Sequence, residues 1–127
     1  MKKLKSICLI TPDVRSLCDF YAGVLETTPE GDGTFATIST PEISLSISST
    51  QLTEEMAPGL KVTSQGGNCF LEFEVDNVDE EYERLKTLNV EVVKFPTTQP
   101  WGVRSVWFRD PRGNLVNFYV RVELNGS

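Results

Sequence analysis

The sequence predicts an α+β fold built from two copies of one plan, a strand, a helix and then further strands. Three observations predict it. Strand-like and helix-like periodicities follow one another in the same order in both halves. A stretch with little period, carrying Pro58, Gly59, Gly66 and Gly67, separates the halves. Sliding one half onto the other by 64 residues superposes the helix faces, Val14 on Val78, Cys18 on Tyr82, Tyr21 on Leu85 and Val24 on Leu88.

Taken in order, Leu4–Thr11 reads as a strand. Asp13 then caps a helix whose apolar face is Val14, Leu17, Cys18, Tyr21, Val24 and Leu25. A Gly-rich break at Gly31–Gly33 leads to strands at Thr34–Ser39 and Ile43–Ser49, separated by the Pro41-Glu42 turn. Residues 50–67 read as a linker that carries a short helical turn at Thr53–Met56. The second half runs from strand Cys69–Val75 through a cap near Asn77 to a helix bearing Val78, Tyr82, Leu85 and Leu88. Strands follow at Val90–Phe95, Val103–Arg109 and Leu115–Val122, with a loop at Pro96–Gly102 and a tight turn at Asp110–Asn114. The expected organisation is a single domain made of modules 1–58 and 67–123, joined by the linker at about 50–67.

Strand side chains alternate between faces. Ile43, Leu45 and Ile47 therefore oppose Ser44, Ser46 and Ser48. Leu71, Phe73 and Val75 oppose Phe70, Glu72 and Glu74, and Val116, Phe118 and Val120 oppose Asn117, Tyr119 and Arg121. Each strand has one apolar face for the helices and one mixed face for solvent or a cavity.

Composition narrows the chemistry. Eighteen acidic against twelve basic residues give a net charge of -6, which repels phosphate backbones and anionic lipid surfaces, so neither nucleic acid nor membrane is an expected partner. There is no His, which removes His-based triads, Cys-His dyads and imidazole metal ligands. Cys8, Cys18 and Cys69 sit among apolar residues and read as small buried thiols of a reducing compartment, so a cytoplasmic protein is expected.

The ordered set Thr11-Pro12-Asp13-Val14, Asp19-Phe20-Tyr21, Val75-Asp76-Asn77-Val78 and Phe108-Arg109-Asp110-Pro111-Arg112-Gly113-Asn114 resembles the vicinal oxygen chelate superfamily. That superfamily contains glyoxalase I, extradiol dioxygenases, fosfomycin-resistance enzymes and bleomycin-resistance proteins. The resemblance covers nearly the whole chain. It implies two βαβββ modules forming a half-open curled sheet, the glyoxalase/bleomycin resistance fold, commonly as a homodimer. In metal-using members, four His or Glu side chains hold a divalent ion; the matching positions here are Ser6, Ser44, Phe70 and Asn117. Ser and Asn are weak neutral donors and Phe70 offers none, so no metal and no other cofactor is expected. Glu72 and Glu74, i and i+2 on one strand, are the only evident substitute.

Gln99-Pro100-Trp101-Gly102-Val103-Arg104, followed by Trp107, resembles the bleomycin-resistance branch. It points to a non-catalytic binder of a cationic or aromatic small molecule such as an antibiotic. Trp101 and Trp107 would stack on planar rings, and Glu72 and Glu74 would attract a cation. Phe70, Asn117, Tyr119, Arg104, Ser44 and Ser46 complete the candidate binding residues, and none is assigned to catalysis. Were Arg104 or Arg121 to enter the pocket, an anionic or zwitterionic ligand would be preferred instead. Two alternatives stand beside this one. The first is a metal-dependent lyase, isomerase or dioxygenase with atypical ligands. The second is a degenerate member with an interaction or regulatory role, its cavity filled by rings such as Phe70 and Tyr119.

Overall fold

A computed structural model describes residues 1–63, 66 and 69–123. The chain divides into two compact units, Met1–Gln65 and Gly66–Ser127.

The first unit contains β1 (Ser6–Thr11), α1 (Val14–Leu25), β2 (Glu30–Gly31), β3 (Phe35–Ile38), β4 (Ser44–Ser49) and α2 (Thr50–Met56). Its sheet has the order β1-β4-β3-β2, with β1 and β4 parallel and the other pairs antiparallel. The α1 helix begins where the Asp13 carboxylate accepts the Ser16 N–H at 3.1 Å. It buries Val14, Leu17, Tyr21 and Val24 and ends at Glu26, whose left-handed φ of 54° breaks the helical path. That buried face meets Leu9, Ala36, Ile38, Leu45 and Ile47, giving the unit its apolar core.

Two features depart from the sequence expectation. The short strand β2, Glu30–Gly31, runs into the break at Gly31–Gly33. At Gly31 (φ +143°) an added Cβ would lie 2.2 Å from the Phe35 carbonyl oxygen, so only glycine fits. Residues 50–56 of the expected linker form α2, started by Ser49, whose hydroxyl accepts the Leu52 N–H at 3.0 Å. The helix packs on β1 and β4, with Thr53 Oγ1 2.9 Å from Ser48 Oγ. The serine face of β4 is consequently dry at Ser46 and Ser48.

The second unit contains β5 (Phe70–Glu74), α3 (Val78–Thr87), β6 (Glu91–Gln99), β7 (Val103–Arg109) and β8 (Leu115–Arg121). The sheet order β5-β8-β7-β6 repeats that of the first unit, again with the first pair parallel. Asn77 caps α3 by accepting the Glu80 N–H at 3.0 Å. Asp79, Glu80 and Glu81 occupy its first turn and Arg84 and Lys86 its last, the arrangement the helix dipole favours. Val78 and Leu85 of α3 are buried, as are Leu71, Val106, Phe108, Val116 and Phe118 of the sheet.

Here β6 runs on through Pro96 to Gln99, where a loop was expected. Two register irregularities, between Val92 and Lys94 and between Lys94 and Thr97, carry the strand past the proline. This is possible because β6 is an edge strand, on which a missing N–H leaves no neighbour unpaired.

The internal repeat is exact in its first half and shifted in its second. Glu72 lies 64 residues after Cys8, but their parallel-strand partners Asn117 and Ser46 are 71 residues apart. The counterpart of Asn117 is thus Ser46, whereas Ser44 matches Leu115. Among the described residues no helix is long and apolar enough to cross a membrane.

Candidate functional site

Alternation along β7 sends Val106 and Phe108 into the apolar core and leaves Val103, Ser105 and Trp107 on the other face of the second unit's sheet. A cavity of about 640 Å³ lies over that face. Its floor is laid out in rows by the strand register. One row crosses the sheet as Glu72, Asn117, Trp107 and Lys94. The next contains Tyr119 and Ser105, and the third is Arg121, Val103 and Gln99. Trp101, in the turn between β6 and β7, and Val93, beside the first β6 irregularity, complete the lining.

Asn117 is only 4% exposed, and its Nδ2 donates to Glu72 Oε2 at 3.0 Å. A carboxylate neighbour accepts and cannot donate, so the amide must turn its nitrogen toward Glu72. Its Oδ1 is left buried without a hydrogen-bond partner among the described residues. Phe70 leans on Trp107 with ring centroids 5.1 Å apart and planes tilted by 59°. Trp101 is 71% exposed. Its turn is pinned by the Gly102 N–H donating to Gln99 O at 3.1 Å and the Val122 N–H donating to Gly102 O at 2.9 Å.

Of the residues the sequence singles out, Trp101, Trp107, Glu72, Asn117 and Tyr119 meet in this cavity, with Phe70 stacked at its side. Others lie elsewhere. Glu74 is exposed on β5, opposite Tyr119, and does not line the cavity. Ser44 and Ser46 belong to β4 of the first unit. Arg104 alternates to the helix side of β7, where its Nε and Nη2 donate to the two Asp79 carboxylate oxygens at 2.9 and 2.8 Å. These bonds hold the Asp79 carboxyl below its usual range. Of the two arginines weighed for the pocket, Arg121 is the one that lines it. Sequence reading missed Lys94, Gln99, Val93, Val103 and Ser105. Counting back by twos from Trp107 would have found Ser105 and Val103. The β6 residues were hidden by irregularities that no period reveals.

The donor set does not fit a divalent ion. Phe70 supplies no ligand atom, and Asn117 offers only a neutral amide oxygen. Ser6 and Ser44 offer only neutral hydroxyls. Among the described residues no group of three or more Cys, Asp or Glu side chains is placed to hold a metal. Cys8 and Cys69 are exposed, where buried thiols were expected. Cys8 falls on the face opposite Leu9, and partial desolvation pushes its thiol pKa up, away from the reactive thiolate.

Comparison with known proteins is consistent from sequence to fold. An uncharacterized Bacillus subtilis protein, YraH, is 27% identical over 124 residues, covering 92% of this chain and 97% of the relative. The crystal structure of a glyoxalase/bleomycin resistance protein/dioxygenase from Nocardioides superposes with a TM-score of 0.81 at 25% identity, covering 100% of this chain and 87% of the other. A family enzyme of the same description from Burkholderia phytofirmans PsJN gives a TM-score of 0.84 at 17% identity, covering 95% and 100%. The family signature matches residues 3–118, and the chain belongs to the Glyoxalase/Bleomycin resistance protein/Dioxygenase superfamily.

Proposed function

We propose that this chain is a metal-free small-molecule-binding member of its superfamily, which sequesters an aromatic ligand, such as an antibiotic, in the cavity of the second unit. The observation that carries this reading is Trp101, a large ring held 71% exposed at the wall of that cavity. Core packing does not account for it, because most of its surface faces water. A pinned turn presents it as a ready platform, and Trp107, backed by Phe70, supplies a second ring on the floor. Aromatic contacts of this kind need little side-chain ordering on binding, since the indole has two rotatable bonds. The weak donor set supports the metal-free part of the reading.

Calorimetric titration with bleomycin-type glycopeptides and other planar aromatic drugs tests it. Saturable one-to-one binding is expected, weakened about 5- to 30-fold by Trp101→Ala, the loss of one to two kcal/mol of ring contact. Equal affinity in both proteins would remove Trp101 from the site. Failure to bind any aromatic probe would end the reading.

A further inference from the structure

We propose that the ligand of this cavity carries an anionic group, most simply a carboxylate, beside its aromatic ring, and that Arg121 receives it. This rests on the reading that the cavity takes an aromatic small molecule and adds the charge of that molecule. The overall acidity of the chain favours a cationic drug, but the cavity has the opposite balance. Its formally charged lining residues are Lys94, Arg121 and Glu72. Glu72 already accepts the Asn117 amide at 3.0 Å. Neither the Lys94 nor the Arg121 side chain has a hydrogen-bond or ion-pair partner among the described residues.

Strand register keeps these charges from cancelling one another. Along β8, Arg121 is four residues beyond Asn117, the neighbour of Glu72, a separation of roughly 13 Å. Lys94 and Glu72 share a row but stand on opposite edges of the sheet, with Asn117 and Trp107 between them, roughly 14 Å apart at the backbone. At such distances Glu72 does not form a contact ion pair with either cation from its place beside Asn117. A net positive patch remains inside a molecule of charge -6.

The end of the cavity at Arg121 also has the polarity an aromatic acid needs. Arg121 pairs with Val103, and Val103 pairs with Gln99, so a guanidinium and a carboxamide border the same row. Trp101 stands in the turn joining Gln99 to Val103. The Val122 N–H bonded to Gly102 O at 2.9 Å ties the end of the Arg121 strand to that turn. The planar fork of arginine binds a carboxylate with two parallel hydrogen bonds. A ring on Trp101 and a carboxylate on Arg121 are therefore satisfied by one short aromatic acid.

Three probes sharing one ring system separate this inference from the reading beneath it: 2-naphthoate, 2-naphthamide and 2-naphthylmethylammonium. Calorimetry at neutral pH is expected to rank naphthoate tightest, about 10-fold or more above the amide. Raising salt from about 0.05 to about 0.5 M should weaken naphthoate and leave the amide unchanged. Arg121→Gln should bring naphthoate to the affinity of the amide without altering the amide itself. Should that variant fail to fold, as judged by circular dichroism, the probe ranking and salt series on the wild type decide the matter. Equal binding of all three, or tightest binding of the cation, overturns the anionic ligand and leaves the aromatic site standing. Absence of binding by all three overturns both.

Discussion

Asp110 shows how much one side chain can organise. It sits in a turn between Arg109 and Arg112, two arginines that the sequence alone leaves as its ion-pair partners or as solvated surface. In the fold Asp110 is 4% exposed, and its carboxylate accepts the N–H groups of Arg112 at 2.8 Å and Asn114 at 3.0 Å, together with Asn114 Nδ2 at 3.0 Å. Arg109 instead reaches Gly113 O at 2.9 Å and Glu91 at 3.2 Å. Gly113 takes the φ of 82° that closes the reversal. Removing the carboxylate strands buried donors, each of which costs about 1–3 kcal/mol when left unpaired. Asp110→Ala is expected to lower unfolding free energy by about 2–4 kcal/mol, read as a shift of the denaturant midpoint at unchanged slope. A shift indistinguishable from zero would show that water replaces the carboxylate freely.

At the scale of elements, alternation decided which residues face the cavity, and register decided which of them meet. Periodicity located α1 and β7 to the residue and α3 to within its frayed end, because buried faces with a fixed period leave a sequence record. It placed only the second half of α2, as a helical turn at Thr53–Met56, because that helix is short and buries none of its own residues, and it missed the continuation of β6 through Pro96. Arg104 illustrates the consequence. One step along β7 separates it from the cavity face and gives it to Asp79 at the start of α3. Because Arg104 lowers the Asp79 pKa, the pair stabilises the fold above the ordinary carboxyl value of 3.8, and that contribution is lost as pH falls through the lowered value. Asp79→Asn should therefore reduce the thermal midpoint slightly at pH 7 and by less at a pH well below 3.8. The same deficit at both pH values would mean that the pair is not the cause.

For the whole molecule, two units of one topology carry different faces. In the row that holds Glu72 and Asn117 in the second unit, the first has Cys8 and Ser46. Each pair offers a single good metal donor, Glu72 or Cys8, beside a weak neutral one. Protein equilibrated with Ni, Zn, Mn or Fe and then desalted is expected to retain well under one equivalent by elemental analysis. Stoichiometric retention abolished by Glu72→Gln would instead establish a metal centre built on Glu72.

By itself the sequence determined the α+β class, the doubled plan, the family and the aromatic side chains on the cavity face. Each of these is written in local periods, turn residues or an ordered set of motifs. Only the tertiary structure decided that Arg121 and Lys94 line the cavity, that Arg104 leaves it, and that Ser46 is the counterpart of Asn117. The physical reason is that charge meets charge across strands distant in the chain, and bulges and insertions reset that pairing without disturbing any local period.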